Sequence, residues 1–321
     1  IAEDAVATGD LNASDIEGLT DGTYFTLTTP PAHGTASIHP QSGNWTYTPN
    51  ANYFGNDAFQ VTVTDDLQGT TAANLQVIVN PVDDPAIISG DFNATIAEDA
   101  VATGDLNASD IEGLTDGTYF TLTTPPAHGT ASIHPQSGNW TYTPNANYFG
   151  NDAFQVTVTD DLQGTTPANL QLIVTPVDDP AIISGDFNAT IAEDAVATGD
   201  LNASDIEGLT DGTYFTLSTP PAHGTASIHP QSGNWTYTPN ANYFGNDAFQ
   251  VTVTDDLQGT TPANLQVIVT PVDDPAIISG DFNATIAEDA VATGDLNAVD
   301  IEGLTDGTYF TLSTPPAHGT A

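Results

Sequence analysis

The chain repeats itself every 95 residues. Ile1-Ala2-Glu3-Asp4-Ala5 returns at Ile96, Ile191 and Ile286, so three periods fit within the 321 residues and a fourth begins at Ile286. The copies differ by a few mild exchanges, such as Ala72 against Pro167 and Pro262, Asn80 against Thr175 and Thr270, and Ser14 against Val299. Solenoid units run ~20–50 residues and are too short for this period. One self-contained β-sandwich needs ~100 residues and fits it. Each copy therefore has to bury a core of its own, and near-identity implies that all copies do the same job.

Pro81-Val82-Asp83-Asp84-Pro85 marks the boundary and recurs at 176–180 and 271–275. Two prolines fix φ and withdraw two backbone donors, so no sheet ladder runs through this point. The boundary divides the chain into 1–84, a repeat lacking its first strand, then 85–179 and 180–274, two complete repeats, and 275–321, the opening part of a fourth. Half a sandwich exposes its core and is not expected to order alone. The missing strands are expected from outside the chain, either as the continuation of a fibre or as a strand donated by another copy.

Strand signals are dense within one period. Phe25 and Leu27 share a face in 24–29, and Trp45 and Tyr47 share one in 45–47. In 58–64, Phe59, Val61 and Val63 alternate with Gln60, Thr62 and Thr64, and Leu75, Val77 and Val79 repeat the pattern. With 34–38, 6–11 and 87–92, this predicts about seven strands separated by Gly, Pro, Asn and Asp turns. The expected fold class is all-β: tandem immunoglobulin-like, cadherin-like seven-stranded β-sandwiches arranged as an extended rod.

Composition narrows the function. There is no Lys and no Arg against 42 Asp plus Glu, a formal charge of −42. A chain without basic side chains has no footprint for nucleic acid or anionic lipid. It also cannot form a lysine Schiff base or a Lys/Arg salt bridge, and it contains no trypsin site. Cysteine is absent, so disulfides do not staple the fold. No apolar run approaches the ~20 residues that span a bilayer. Direct membrane insertion is not expected.

The acids are clustered. Glu3-Asp4, Asp15 with Glu17, Asp65-Asp66 and Asp83-Asp84 recur as Glu98-Asp99, Asp110 with Glu112, Asp160-Asp161 and Asp178-Asp179. They recur again as Glu193-Asp194, Asp205 with Glu207, Asp255-Asp256 and Asp273-Asp274, and finally as Asp300 with Glu302. Sandwich loops collect at the two ends of the domain, so stacked sandwiches bring the acidic loops of neighbours together. Convergent oxygens of this kind supply the 6–8 hard ligands that Ca2+ takes. All of these residues are candidate Ca2+ ligands. Turn chemistry alone explains Asp21 and Asp57.

The strings Gly43-Asn44-Trp45-Thr46-Tyr47-Thr48-Pro49-Asn50, Tyr53-Phe54-Gly55-Asn56-Asp57-Ala58-Phe59 and Val61-Thr62-Val63-Thr64-Asp65-Asp66 resemble the bacterial cadherin-like, VCBS-type tandem repeats of giant RTX-type adhesins. The boundary Pro81-Val82-Asp83-Asp84-Pro85 is similar to theirs. The resemblance covers every period. It implies a calcium-stabilised extender in a secreted, surface-anchored bacterial adhesin, active in biofilm or adhesion, whose neighbours are repeats of the same chain or fibre. Animal cadherins are a weaker parallel. By that parallel Glu3 or Asp4 resembles the early glutamate, Asp83-Asp84 the linker acids, and Asp110-Ile111-Glu112 with Asp160 the acids of the next domain. Asp-Ile-Glu stands where cadherins have Asp-x-Asp, and no Asp-Arg-Glu is present.

Other chemistry is weaker. His33 and His39 are read as loop residues rather than ligands, and Trp45 with Tyr47 as core rather than a sugar platform. Paired carboxylates could serve glycoside hydrolysis, but small sandwiches offer no large pocket. No enzymatic activity is expected. Two alternatives to the spacer stand: repeats that themselves bind glycan or protein partners, and a subunit that polymerises into an extracellular filament by strand exchange.

Overall fold

The computed structural model describes residues 1–320. The chain divides into two compact units, Ile1–Pro176 and the stretch from Val177 on. Among the described residues no helix is long and apolar enough to cross a membrane.

The first unit holds two repeats. In the first, the strands are β1 (Ala7–Asp10), β2 (Phe25–Thr29), β3 (Gly34–Ile38), β4 (Asn44–Pro49), β5 (Gly55–Thr64) and β6 (Thr70–Val79). They form two three-stranded sheets, β1-β4-β3 and β2-β5-β6. The second repeat adds two strands at its start, β7 (Ile87–Gly90) and β8 (Asn93–Ala97). It continues with β9 (Ala102–Ser109), β10 (Phe120–Thr124), β11 (Gly129–Ile133), β12 (Asn139–Pro144), β13 (Gly150–Thr159) and β14 (Thr165–Thr175). Its sheets are β11-β12-β9-β7 and β10-β13-β14-β8.

The sequence reads one strand over 87–92; the structure divides it between the two sheets. β7 pairs antiparallel with β9, Ile87 opposite Ser109. The chain then crosses over at Gly90, whose φ of 123° is left-handed territory open to glycine. β8 pairs parallel with β14, Asn93 opposite Gln171 and Ala97 opposite Thr175. The opening stretch thus closes the edge of both sheets at once.

Period-two alternation fills the space between the sheets. Trp140, Tyr142, Phe154, Leu106, Leu170 and Leu172 are fully buried. Trp140 meets Phe154 edge-on at 5.7 Å. Fully burying such side chains contributes about 1.5–3 kcal/mol each, in a chain that contains no cysteine to staple it. Asp152 is buried beneath this core, where it accepts hydrogen bonds from the N–H groups of Ala127, His128 and Ala153 and from the Tyr142 hydroxyl. His134 Nδ1 accepts from the N–H of Gln136 and Ser137, a turn role.

The second unit repeats the plan with β15 (Ile182–Gly185), β16 (Asn188–Ala192), β17 (Ala197–Ser204), β18 (Phe215–Thr219), β19 (Gly224–Ile228), β20 (Asn234–Pro239), β21 (Gly245–Thr254) and β22 (Thr260–Thr270). Its sheets are β15-β17-β20-β19 and β16-β22-β21-β18. Beyond it, β23 (Ile277–Gly280) and β24 (Leu296–Val299) form a two-stranded sheet of the fourth repeat. Phe282 there is 64% exposed, whereas its counterparts Phe92 and Phe187 pack against cores.

Candidate metal centre

The Ile-Ala-Glu-Asp-Ala turn delivers the first ligand. Ala5 N–H closes it on Ala2 O, and Asp4 takes a φ of 59°. Aspartate tolerates this left-handed state better than most residues. The turn points Glu3 inward, 5% exposed, and leaves Asp4 in solvent. Glu3 Oε1 accepts the N–H of Val82 at 2.5 Å, tying the linker to the base of the first repeat. Glu3 Oε2 is buried without a hydrogen-bond partner.

The linker and the next repeat complete the group. Asp84 N–H donates to Glu112 Oε2 at 3.3 Å, and Asp84 Oδ2 accepts from the Asn52 side-chain amide at 2.8 Å. Glu112 is placed by a turn in which Asp110 Oδ1 accepts the N–H of Glu112 and Gly113. Glu112 Oε1 and Asp110 Oδ2 are likewise buried and unbonded. Glu3, Asp84 and Glu112 each offer a carboxylate oxygen, and all three oxygens lie within 4.8 Å of one another.

Asp83 belongs to the other side of the linker. The β13–β14 turn folds around Asp160, 1% exposed, whose Oδ1 accepts the N–H of Leu162 and Gly164 at 2.9 Å each. Asp83 lies over Gly164 so closely that a Cβ there would meet its Oδ1 at 1.9 Å. Loss of solvent, then the charge of Asp160, a hydrogen bond shared with it, and the charges of Asp110 and Asp84 push the Asp83 carboxyl up. Burial also raises Glu112; the Asp84 N–H opposes that and Asp110 reinforces it.

The second unit reproduces the arrangement. Glu193 is 5% exposed, its Oε1 accepts the Val272 N–H, and its Oε2 is buried and unbonded. Asp274 N–H donates to Glu302 Oε2 at 3.2 Å, and Glu193, Asp274 and Glu302 converge within 4.8 Å. Asp300 Oδ1 accepts the Glu302 N–H. Asp178 lies over Gly259 and is pushed up by loss of solvent and by Asp255, Asp205 and Asp179. Asp179 N–H donates to Glu207 Oε2, and Asp205 Oδ1 accepts the Glu207 N–H.

Some sequence candidates stand apart. Asp4 and Asp194 accept the N–H of Asn52 and Asn242 from outside the group. Asp99 takes the same left-handed φ, 60°, and is exposed, while Glu98 is buried with its N–H on Thr175 O. Asp66, Asp161 and Asp256 are exposed and lean on Gly18, Gly113 and Gly208. Asp273 is exposed. In the first repeat, Asp15 and Glu17 are exposed and Asp65 is half-buried. Asp65 Oδ1 serves its own turn, accepting from Leu67 and Gly69.

Sequence reasoning missed Asn52 and Asn242, which bind the linker acids Asp84 and Asp274. Their signal is asparagine in a Pro-Asn-Ala-Asn loop, where it adopts a φ of 55°. The donor set is all oxygen, anionic and short of partners. It fits a hard divalent cation and does not suit zinc.

Residues 1–78, 83–173 and 178–268 each match the family profile described as bacterial Ig domain. Similar solved structures include the protocadherin gammaB7 EC3-6 cis-dimer, 14% identical over 94% of this chain and 80% of that one, TM-score 0.50. The protocadherin GammaB4 extracellular domain is 14% identical over 89% of this chain, TM-score 0.50; the match covers 51% of that structure. Mouse cadherin-23 EC22-24 is 17% identical over 82% of this chain and 90% of that one, TM-score 0.48. These likenesses concern the fold. No curated protein matches the chain.

Proposed function

The chain belongs to the bacterial Ig domain family, and we propose that it is an extracellular extender of a bacterial adhesin or surface fibre whose repeat junctions are stiffened by Ca2+. One observation carries this reading. The buried Glu3 carboxylate has an unbonded oxygen and converges with Asp84 and Glu112 in a chain that has no Lys or Arg to neutralise them. Ca2+ would supply the positive charge and bridge oxygens from two repeats and the linker between them.

The protein's own groups set the geometry. Val82 N–H orients Glu3, Asp84 N–H orients Glu112, and the Asn52 amide holds Asp84. Without a cation the clustered carboxylates repel, and the linker is free to pivot. Binding that favours the closed arrangement stabilises it by about 2.7 kcal/mol per site at a hundredfold excess over Kd. On this reading the repeats are scaffolding and perform no catalysis.

Small-angle scattering of the whole chain with Ca2+ and with EDTA tests the proposal. Chelation is expected to broaden the distribution of dimensions and lower Tm. Unchanged dimensions and Tm after chelation would overturn it.

A further inference from the structure

Each repeat keeps one stretch free of charge. No acid lies between Asp21 and Asp57, between Asp116 and Asp152, or between Asp211 and Asp247, and the aspartate closing each interval is buried. In the second repeat this interval supplies all of β10, β11 and β12. β10 ends one sheet and β11 ends the other. Going inward from β11, the first acid of its sheet is Asp105 on β9, two strands away, or about 10 Å at the usual strand spacing. Two chains of charge −42 repel each other, and this neutral side is where that repulsion is weakest.

A free strand edge offers unpaired backbone groups, and proteins blunt such edges with bulges, proline or charge. The other edges of the second repeat are blunted in this way. β10 carries a register shift between Leu122 and Thr124. β7 lies between Asp84-Pro85 and Asp91, and β8 between Asp91 and Glu98-Asp99. β11, Gly-Thr-Ala-Ser-Ile, keeps an unbroken register with β12 and contains neither proline nor charge.

The β11–β12 ladder fixes which groups face outward. His134 N–H donates to Asn139 O and Asn145 N–H to His128 O. Antiparallel bonding alternates along a strand, so Thr130 and Ser132 bond to β12 while the N–H and C=O of Gly129, Ala131 and Ile133 turn to the open edge. Pro144, which has no N–H, stands opposite Gly129, as this alternation requires. β3 and β19 repeat the sequence, the register and the flanking hydrogen bonds.

We propose that β3, β11 and β19 are contact edges through which two copies of this chain associate side by side, each strand pairing antiparallel with an identical strand of the second copy. The pairing is self-complementary when centred on Ala36, Ala131 or Ala226. Alanine then faces alanine and Gly129 faces the equivalent of Ile133, all of them residues with outward backbone groups. Thr130 faces the equivalent of Ser132. The flanking His128 and His134 come opposite each other, so no carboxylate meets a carboxylate across the seam. Five residues make a weak contact, so association depends on protein concentration and on salt to screen the acids elsewhere.

Sedimentation of the whole chain in EDTA tests this apart from the calcium reading. At low salt the mass is expected to be 33.2 kDa. Near 1 M NaCl, where the screening length falls to ~3 Å, it is expected to reach at least twice that as concentration rises. Glutamate at the exposed Ser37, Ser132 and Ser227 together is expected to hold the chain monomeric. The chain has no cysteine of its own, so engineered thiols report the register. One chain carries Thr35→Cys, Thr130→Cys and Thr225→Cys, and another carries Ser37→Cys, Ser132→Cys and Ser227→Cys. Mixed and oxidised, they are expected to form disulfide-linked dimers several-fold faster than either alone, because the cross-strand distance of ~4.5 Å suits the bond. A chain that stays monomeric in high salt would overturn the proposal, its edge left to a strand of some other protein. Association that survives the glutamates, or thiols that show no preference for the mixture, would overturn it equally.

Discussion

Asp83 rests on Gly164, with its Oδ1 1.9 Å from where a side chain would begin. Gly164→Ala therefore evicts the linker carboxylate while leaving the hairpin backbone in place. Overpacking of this kind costs about 1–3 kcal/mol, borne here by the junction because the carboxylate can swing away. Calorimetry is expected to show several-fold weaker Ca2+ binding at that junction and a bead Tm almost unchanged. Gly259→Ala should do the same through Asp178.

Glu3 and Glu193 hold a buried oxygen without a hydrogen bond. An unsatisfied buried polar group costs about 1–3 kcal/mol, more when charged. Glu3→Gln removes the charge while keeping a carbonyl oxygen to accept the Val82 N–H. The expected outcome is a chain more stable than wild type in EDTA and less stabilised by added Ca2+, read as two melting curves that cross.

Asp57, Asp152 and Asp247 serve the beads rather than the junctions. Desolvation raises these carboxyls, but three backbone N–H groups and a tyrosine hydroxyl outweigh it and hold them below the ordinary aspartate value. A depressed carboxylate stabilises the fold above its unfolded pKa of ~3.9, and that contribution is lost as pH falls through the folded value. Asp152→Asn is expected to destabilise its repeat by at least about 2 kcal/mol, since hydrogen bonds to charged groups contribute ~1.5–3 kcal/mol each. Chemical denaturation gives the measurement.

The linker acids titrate in the opposite sense. Asp83 and Glu112 are raised, so in metal-free protein their contribution is present below the unfolded carboxylate pKa and fades as pH rises through the folded value. Acidifying the EDTA-treated chain is expected to raise the protection factors of the linker amides, with the intrinsic pH dependence of exchange divided out, before the beads lose stability. With Ca2+ present, protons compete for the same oxygens, and affinity should fall over that range.

Much of this was legible in the residues. Alternation in 58–64 and 75–79 fixed which side chains face inward, and the double proline marked the junction. In sequence, 87–92 reads as one strand, a run mixing apolar and polar residues without a proline to break it; only the sheet partners reveal the crossover at Gly90. Among the acids, clustering identified the junction but could not rank its members. Glu3 and Asp4 are neighbours in sequence, yet a left-handed φ at Asp4 sends one inward and the other to solvent. Asn52 escaped notice because its partners lie 48 and 32 residues away.

The junctions within the two units use the same hydrogen bonds: Val82 or Val272 onto a buried glutamate, Asp84 or Asp274 onto the next repeat. Adding or removing one whole period of 95 residues would leave these hydrogen bonds between the same residue types. Length is then adjustable in steps of one domain, with no core residue changed.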